Sequence, residues 1–205
     1  MTSTYLRVLP LALLLTGCVS LLPKAGDLPP RLALNAGEPA TGELTPAINA
    51  TLVVGDPDSA SAYNTFLVAI ARGPYEIQYI ENAQWTDRVP VLVRRFIEQR
   101  FENRALFTAV GDRVDLPVSD FELQTDIRSF EIDETSDQPF ARVTLGAKLI
   151  DRRKKVLGTK IFSERVPVRS AELGDRIDAL NEAATATADD LIEWTERLTT
   201  TATSP

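Results

Sequence analysis

Histidine is absent from this 205-residue chain, and cysteine occurs once, at Cys18. Without an imidazole there is no Ser-His-Asp triad, no Cys-His pair and no histidine metal ligand, so the commonest general base is missing. One thiol excludes an intramolecular disulfide and a thiolate zinc site. Positive charge is also short, with 22 Lys and Arg against 29 Asp and Glu and a formal net charge of -7. That balance argues against a nucleic-acid partner, because sequence-independent binding to phosphates runs on Lys and Arg. Long apolar runs are missing too: the longest near the N-terminus, Val8 to Leu15, has eight residues. A membrane-crossing helix needs about 20.

What is present begins with an address. Arg7 is the only charge before the apolar run, which leads directly into Thr16-Gly17-Cys18. A charged start, a short apolar middle and small residues at the end read as a secretory signal. Leu15-Thr16-Gly17-Cys18 has the form of a bacterial lipobox, in which the signal (residues 1–17) is cut before the cysteine and the thiol carries diacylglycerol. Each buried methylene adds about 0.8 kcal/mol, so two or three acyl chains on Cys18 anchor a protein firmly where one does not. Those chains are the only covalent group expected; no metal, cofactor or catalytic residue is. Val19, not Asp, follows Cys18, which by the usual sorting rule directs such a lipoprotein to the outer membrane, facing the periplasm. Cleavage leaves 205 − 17 = 188 residues and, with Arg7 gone, 21 bases against 29 acids, a net of -8. A chain of that size builds a core without staples.

Residues 18–30, with Pro23, Gly26, Pro29 and Pro30, read as a lipidated tether. Residues 199–205, all Thr, Ala, Ser and Pro, read as a disordered tail. One domain at 31–198 lies between them. Thr51 to Val54 and Thr65 to Ala71 are strand-like, the second apolar on both faces like a central strand. Tyr75-Glu76-Ile77-Gln78-Tyr79 alternates, predicting a strand with one face covered. Val89, Leu92, Val93, Phe96, Ile97 and Phe101 form the stripe of an amphipathic helix, with Pro90 tolerated near its start and Asp87 as the predicted N-cap.

Phe121, Leu123, Thr125 and Ile127 share a face, but Phe130 and Ile132 fall out of phase, predicting a bulge near Arg128-Ser129. Val143, Leu145, Ala147 and Leu149 alternate in the next strand. After the basic turn Arg152-Arg153-Lys154-Lys155, Val156 to Val168 completes an antiparallel meander. A last helix runs through Leu173, Ile177, Leu180, Ala184, Ala188, Leu191 and Leu198. The fold predicted is α+β: one domain with a mixed, mainly antiparallel sheet and two main helices packed on it.

The series Tyr75-x-x-x-Tyr79, Trp85, Pro90 opening a helix, Phe107-x-x-Val110, Phe121-Glu122-Leu123, the 143–149 alternation and Trp194 resembles the ABC-type transport auxiliary lipoproteins over residues 50–195. The lipobox agrees. The segment 31–49 matches loosely, with a short strand expected at Arg31 to Leu34. The resemblance implies a non-enzymatic periplasmic lipoprotein that docks with the MCE-domain protein of an ABC lipid transporter, moving phospholipid, sterol or other apolar cargo between the two membranes. A homo-oligomeric ring around that partner is implied by the resemblance alone. The chain has no G-x-x-x-x-G-K-[ST] phosphate loop of its own.

Three groups of residues carry two readings each. Tyr75, Tyr79 and Trp85 either line a lipid-contacting groove or pack the sheet against the helix at 89–104; packing is the expectation, as for Phe101, Leu106 and Phe107. Arg152, Arg153, Lys154 and Lys155 either touch anionic headgroups or an acidic partner, or form a solvated turn. Asp126 with Glu131 could be a glycosidase pair only with an aromatic cleft beside them. The rival to docking is a free-standing periplasmic lipid-binding lipoprotein, with its own apolar cavity lined by residues such as Leu67, Ile77 and Phe96.

Overall fold

One long strand organises the sheet. The computed structural model describes residues 29–39 and 41–203, so the signal at 1–17, Cys18 and the tether up to Leu28 lie outside the described residues. In chain order the elements are β1 (Arg31–Leu32), β2 (Ile48–Val54), β3 (Asp58–Ser59), β4 (Leu67–Gly73), β5 (Glu76–Trp85), α1 (Val89–Asn103), β6 (Phe107–Gly111), β7 (Phe121–Asp133), β8 (Phe140–Asp151), β9 (Val156–Pro167) and α2 (Leu173–Thr203). Along one edge β7 pairs antiparallel with β8 for its whole length, and β8 pairs likewise with β9. Its other edge is shared end to end by three parallel strands: β2 beside Phe121 to Leu123, β3 beside Asp126 and Ile127, β4 beside Glu131 to Asp133. Outside these, β6 lies parallel to β2, β5 antiparallel to β4, and β1 parallel to the end of β5. The result is a mixed nine-stranded open sheet whose long ladders are antiparallel, as expected.

The alternation in β7 explains its position. Phe121, Leu123, Thr125 and Ile127 are buried, and so are Phe130 and Ile132. The register shifts between Ile127 and Ser129, so Arg128 is the extra residue that returns the apolar positions to the core face. Helix α2 packs over β7, β8 and β9, while α1 packs over β2 and β6 and meets α2. The predicted stripe of α1 is buried throughout. Its predicted cap is corrected: Arg88 is the N-cap and makes no side-chain cap bond. Asp87 instead accepts from Arg95 Nη1 at 2.7 Å, and the Val89 amide is already satisfied by Thr65 O. The strand expected at Arg31 to Leu34 is limited to Arg31–Leu32.

The tail expected from Thr199 onward is also corrected, because α2 runs to Thr203. Thr187, Thr195 and Thr199 are fully buried. Each hydroxyl donates to the carbonyl four residues back, at 2.8, 2.8 and 2.9 Å. Bonded this way, threonine brings no unsatisfied polar group inside and extends the buried face.

The Arg128 bulge turns Glu131 and Asp133 onto the open face of the sheet, yet both are buried. Tyr63, from the turn before β4, covers them and donates its hydroxyl to Glu131 Oε2 at 2.6 Å. Arg142, directly opposite Glu131 in the β7–β8 ladder, donates Nε to Glu131 Oε1 at 3.1 Å and pairs Nη1 with Asp133 Oδ2 at 3.0 Å. Burial and the Glu131 carboxylate push the Tyr63 phenol above its ordinary value. Burial raises the Asp133 carboxyl, but Thr135 donors and the Arg142 and Arg165 charges outweigh it and hold it below its ordinary 3.8.

Arg142→Leu leaves two buried carboxylates unpaired and should cost about 3–5 kcal/mol in urea unfolding. Tyr63→Phe removes one donor of several and should cost about 1–3 kcal/mol. Because the folded Asp133 value is depressed, its contribution is complete above 3.8 and is lost as pH falls through the lower folded value. Asp133→Asn should therefore flatten the acid limb of the stability curve. The glycines give another test: a Cβ on Gly158 would lie 2.7 Å from Leu198 Cδ1 and 3.0 Å from Trp194 Cζ2. Gly158→Val should lower the thermal midpoint, at about 1–3 kcal/mol for overpacking. Gly146→Ala should cost less, since the half-exposed Asp126 it meets can swing outward.

Candidate functional site

The groups singled out in the sequence sit at opposite ends of the sheet. The β8–β9 turn lies at the Phe121 end of β7, where Phe121 faces Asp151. The β4–β5 turn lies at the other end, since Ala71 pairs with Asp133 and Gly73 with Glu76. At about 3.3 Å per residue, the 13 residues of β7 separate the two turns by about 40 Å. Arg152, Arg153, Lys154 and Lys155 thus share no site with Tyr75 and Tyr79.

At the first end the turn is fixed from within. Asp151 Oδ1 accepts from the amides of Arg153 and Lys155 at 2.8 and 2.9 Å, and Lys154 has a φ of 64°. Lys154 Nζ pairs with Glu122 Oε2 at 3.2 Å, and Arg152 faces Asp120 Oδ1 at 3.8 Å. Among the described residues Arg153 and Lys155 have no carboxylate partner. Arg113 also pairs with the nearly buried Glu122. Burial raises the Glu122 carboxyl, but the Gln124 and Lys154 donors and the Arg113 charge outweigh it, holding it below the ordinary value.

The 112–120 loop completes this end with residues the sequence reading did not single out. Val114 is 86% exposed and Val118 67%, and Leu116, Pro117 and Val118 line an open pocket of about 400 Å³ with Arg113, Arg152 and Lys154. Asp112 Oδ1 shapes the loop by accepting from the amides of Val114 and Asp115, bonds that depress its carboxyl. A legible signal was three apolar residues and a proline in an otherwise polar segment.

At the second end the expectation of packing is corrected for the tyrosines. Tyr75 is 100% exposed, and Ile77 and Tyr79 are each 37% exposed. The segment Glu76 to Tyr79 is exposed on both faces, not covered on one. Two features cause this. Helix α1 packs over β2 and β6, leaving the turn uncovered. Then five steps of β5, Tyr79 to Gln84, match two of β4, Leu67 to Ala69, with Asn82 at φ 55°. That bulge offsets the turn segment from the buried end of the strand. There Trp85 is fully buried, edge-on to Phe130 with ring centroids 5.7 Å apart, so it makes no surface contact. Tyr79 donates its hydroxyl to Ala62 O at 3.2 Å. Phe101, Leu106 and Phe107 are core, as expected.

Leu67, Ile77 and Phe96 line no common chamber: Phe96 is core, Leu67 half-buried and Ile77 exposed. The roomiest pocket described, about 560 Å³, is an open groove walled by charged side chains, among them Asp56, Asp112, Arg113, Glu122, Arg128 and Lys148. The two acids weighed as a hydrolytic pair are each occupied, Asp126 by Arg128 and Glu131 by Arg142. Cys18 lies outside the described residues.

Residues 33–192 match the model of the family described as ABC-type transport auxiliary lipoprotein component. A curated relative, uncharacterized protein bll6063 of Bradyrhizobium diazoefficiens, is 24% identical over 157 residues. That alignment takes in 75% of this chain but only 41% of the relative's length. Among solved structures, protein XCC0632 of Xanthomonas campestris superposes with a TM-score of 0.74 at 23% identity, covering 83% of this chain and 96% of that one. A second, titled only as an uncharacterized protein, gives a TM-score of 0.62 at 11% identity over 75% of this chain and 96% of its own. At these identities the structures share the fold, while the family match spans most of the chain: it belongs to the ABC-type transport auxiliary lipoprotein component family.

Proposed function

We propose that the protein is a non-catalytic auxiliary component of an MCE-type ABC lipid transport system, lipid-anchored through Cys18 in the cell envelope and facing the periplasm. The observation that carries this reading is the family match over residues 33–192, which begins shortly after the lipobox and tether. The role is positional. Acyl chains on Cys18 hold the domain at a membrane, which Val19 suggests is the outer one, and a protein surface docks the periplasmic MCE-domain part of the transporter. The domain's chemistry suits such a role: its buried carboxylates are paired, as in Glu131 with Arg142, and the roomiest pocket described is an open groove walled by charged side chains.

Two measurements check this. Full-length protein should fractionate with membranes, and Cys18→Ser should release it into the soluble fraction. Capture of the protein from detergent-solubilised envelope, with mass spectrometry of both protein and lipid, should return an MCE-domain protein as the dominant partner. Stoichiometric lipid without any MCE-domain protein would instead make the domain a carrier in its own right.

A further inference from the structure

We infer that the tip of the β4–β5 hairpin, centred on Tyr75, rests on the same bilayer that holds the lipid anchor. This rests on Cys18 being lipidated. The first argument is the direction of the chain. Strand β1 is parallel to β5, with Arg31 opposite Gln84 and Leu32 opposite Trp85, and Gln84 N donates to Pro30 O at 3.3 Å. Pro29 and Pro30 therefore enter β1 from the side of the Glu76 end of β5, where the hairpin turns. Ten residues, Val19 to Leu28, separate Cys18 from Pro29; chain geometry limits that span to about 40 Å. That reach takes in the Tyr75 end, the side from which Pro29 and Pro30 approach β1.

The second argument is the chemistry of the tip. Gly73-Pro74-Tyr75-Glu76-Ile77-Gln78-Tyr79-Ile80 carries one charge in eight residues. Gln78 Nε2 donates to that Glu76 carboxylate at 2.7 Å. The flanking Arg72 is paired with Glu134 at 2.5 Å. Tyr75 is fully exposed, and Ile77 and Tyr79 are partly so, at a hairpin that no helix covers among the described residues. Tyrosine pairs an apolar ring with a hydroxyl that stays hydrated, the combination that settles at the headgroup level of a bilayer. A low-charge tip of this kind suits a surface rich in zwitterionic lipid. The opposite end, with four consecutive cations, does not share that character.

The test uses the full-length lipoprotein, in which an acylated Cys18 leaves no other thiol. Tyr75→Cys and, in a separate protein, Lys155→Cys are labelled with an environment-sensitive fluorophore. Each is reconstituted into phosphatidylethanolamine–phosphatidylglycerol vesicles with and without spin-labelled lipid. The expected result is a blue shift and loss of fluorescence to the spin label at position 75, with neither at 155. Quenching at 155 but not 75, or at neither, overturns the inference. A blue shift at 75 that rises with protein concentration and is insensitive to spin-labelled lipid also overturns it, assigning the tip to another protein chain. Protein that fails to float with the vesicles and retains a reactive Cys18 shows instead that lipidation itself is wrong, and the inference falls with it.

Discussion

The ladder between β7 and β8, with its single extra residue at Arg128, is the constraint on which the rest of the molecule depends. A one-residue slip in a strand exchanges its two faces. Before the bulge the odd-numbered residues of β7 face the helices; after it, Phe130 and Ile132 do. Were Arg128 paired in regular register, with no bulge, Glu131 and Asp133 would enter the apolar layer. With it, they meet Arg142 and Tyr63 on the opposite face. The same strand offers its second edge to β2, β3 and β4 in succession, so one element fixes both the core and the separation of the two ends.

That separation is what the structure contributes to function. The features that sequence reasoning gathered as candidate contacts, four cations and a set of aromatics, resolve into two ends of different character. One end has a cationic turn beside Val114 and Val118; the other is a nearly uncharged hairpin with exposed tyrosines. The role proposed above needs two surfaces, one for a membrane and one for a partner. A sheet about 40 Å long keeps such surfaces from competing. The direction of β1 brings Pro29 and Pro30 in from the Glu76 side of β5.

Burial of polar groups follows one rule throughout. Glu131 and Asp133 are buried because donors surround them. Thr187, Thr195 and Thr199 are buried because their hydroxyls bond back to their own helix. Satisfied in this way, polar residues cost little inside. Composition alone therefore misjudged Thr199, which is buried near the end of α2 although no large apolar residue follows it.

Features that depend on neighbours along the chain were readable from residue order alone. The α1 stripe, the three-strand meander, the Arg128 bulge and the apolar face of α2 were all legible, because helix and strand periods are local properties. The lipobox and the family pattern were legible for the same reason, as ordered residue types at fixed spacing. Only the tertiary structure decided which residues meet across long separations. The alternation in Tyr75 to Tyr79 reads the same in a covered strand as in a hairpin beyond the reach of α1. The pairing of Arg142 with Glu131 needed the hairpin register, and the covering by Tyr63 needed β4 to dock beside the end of β7, some 60 residues away in the chain. Such pairings are set by the packing of the whole sheet, and no local pattern encodes them.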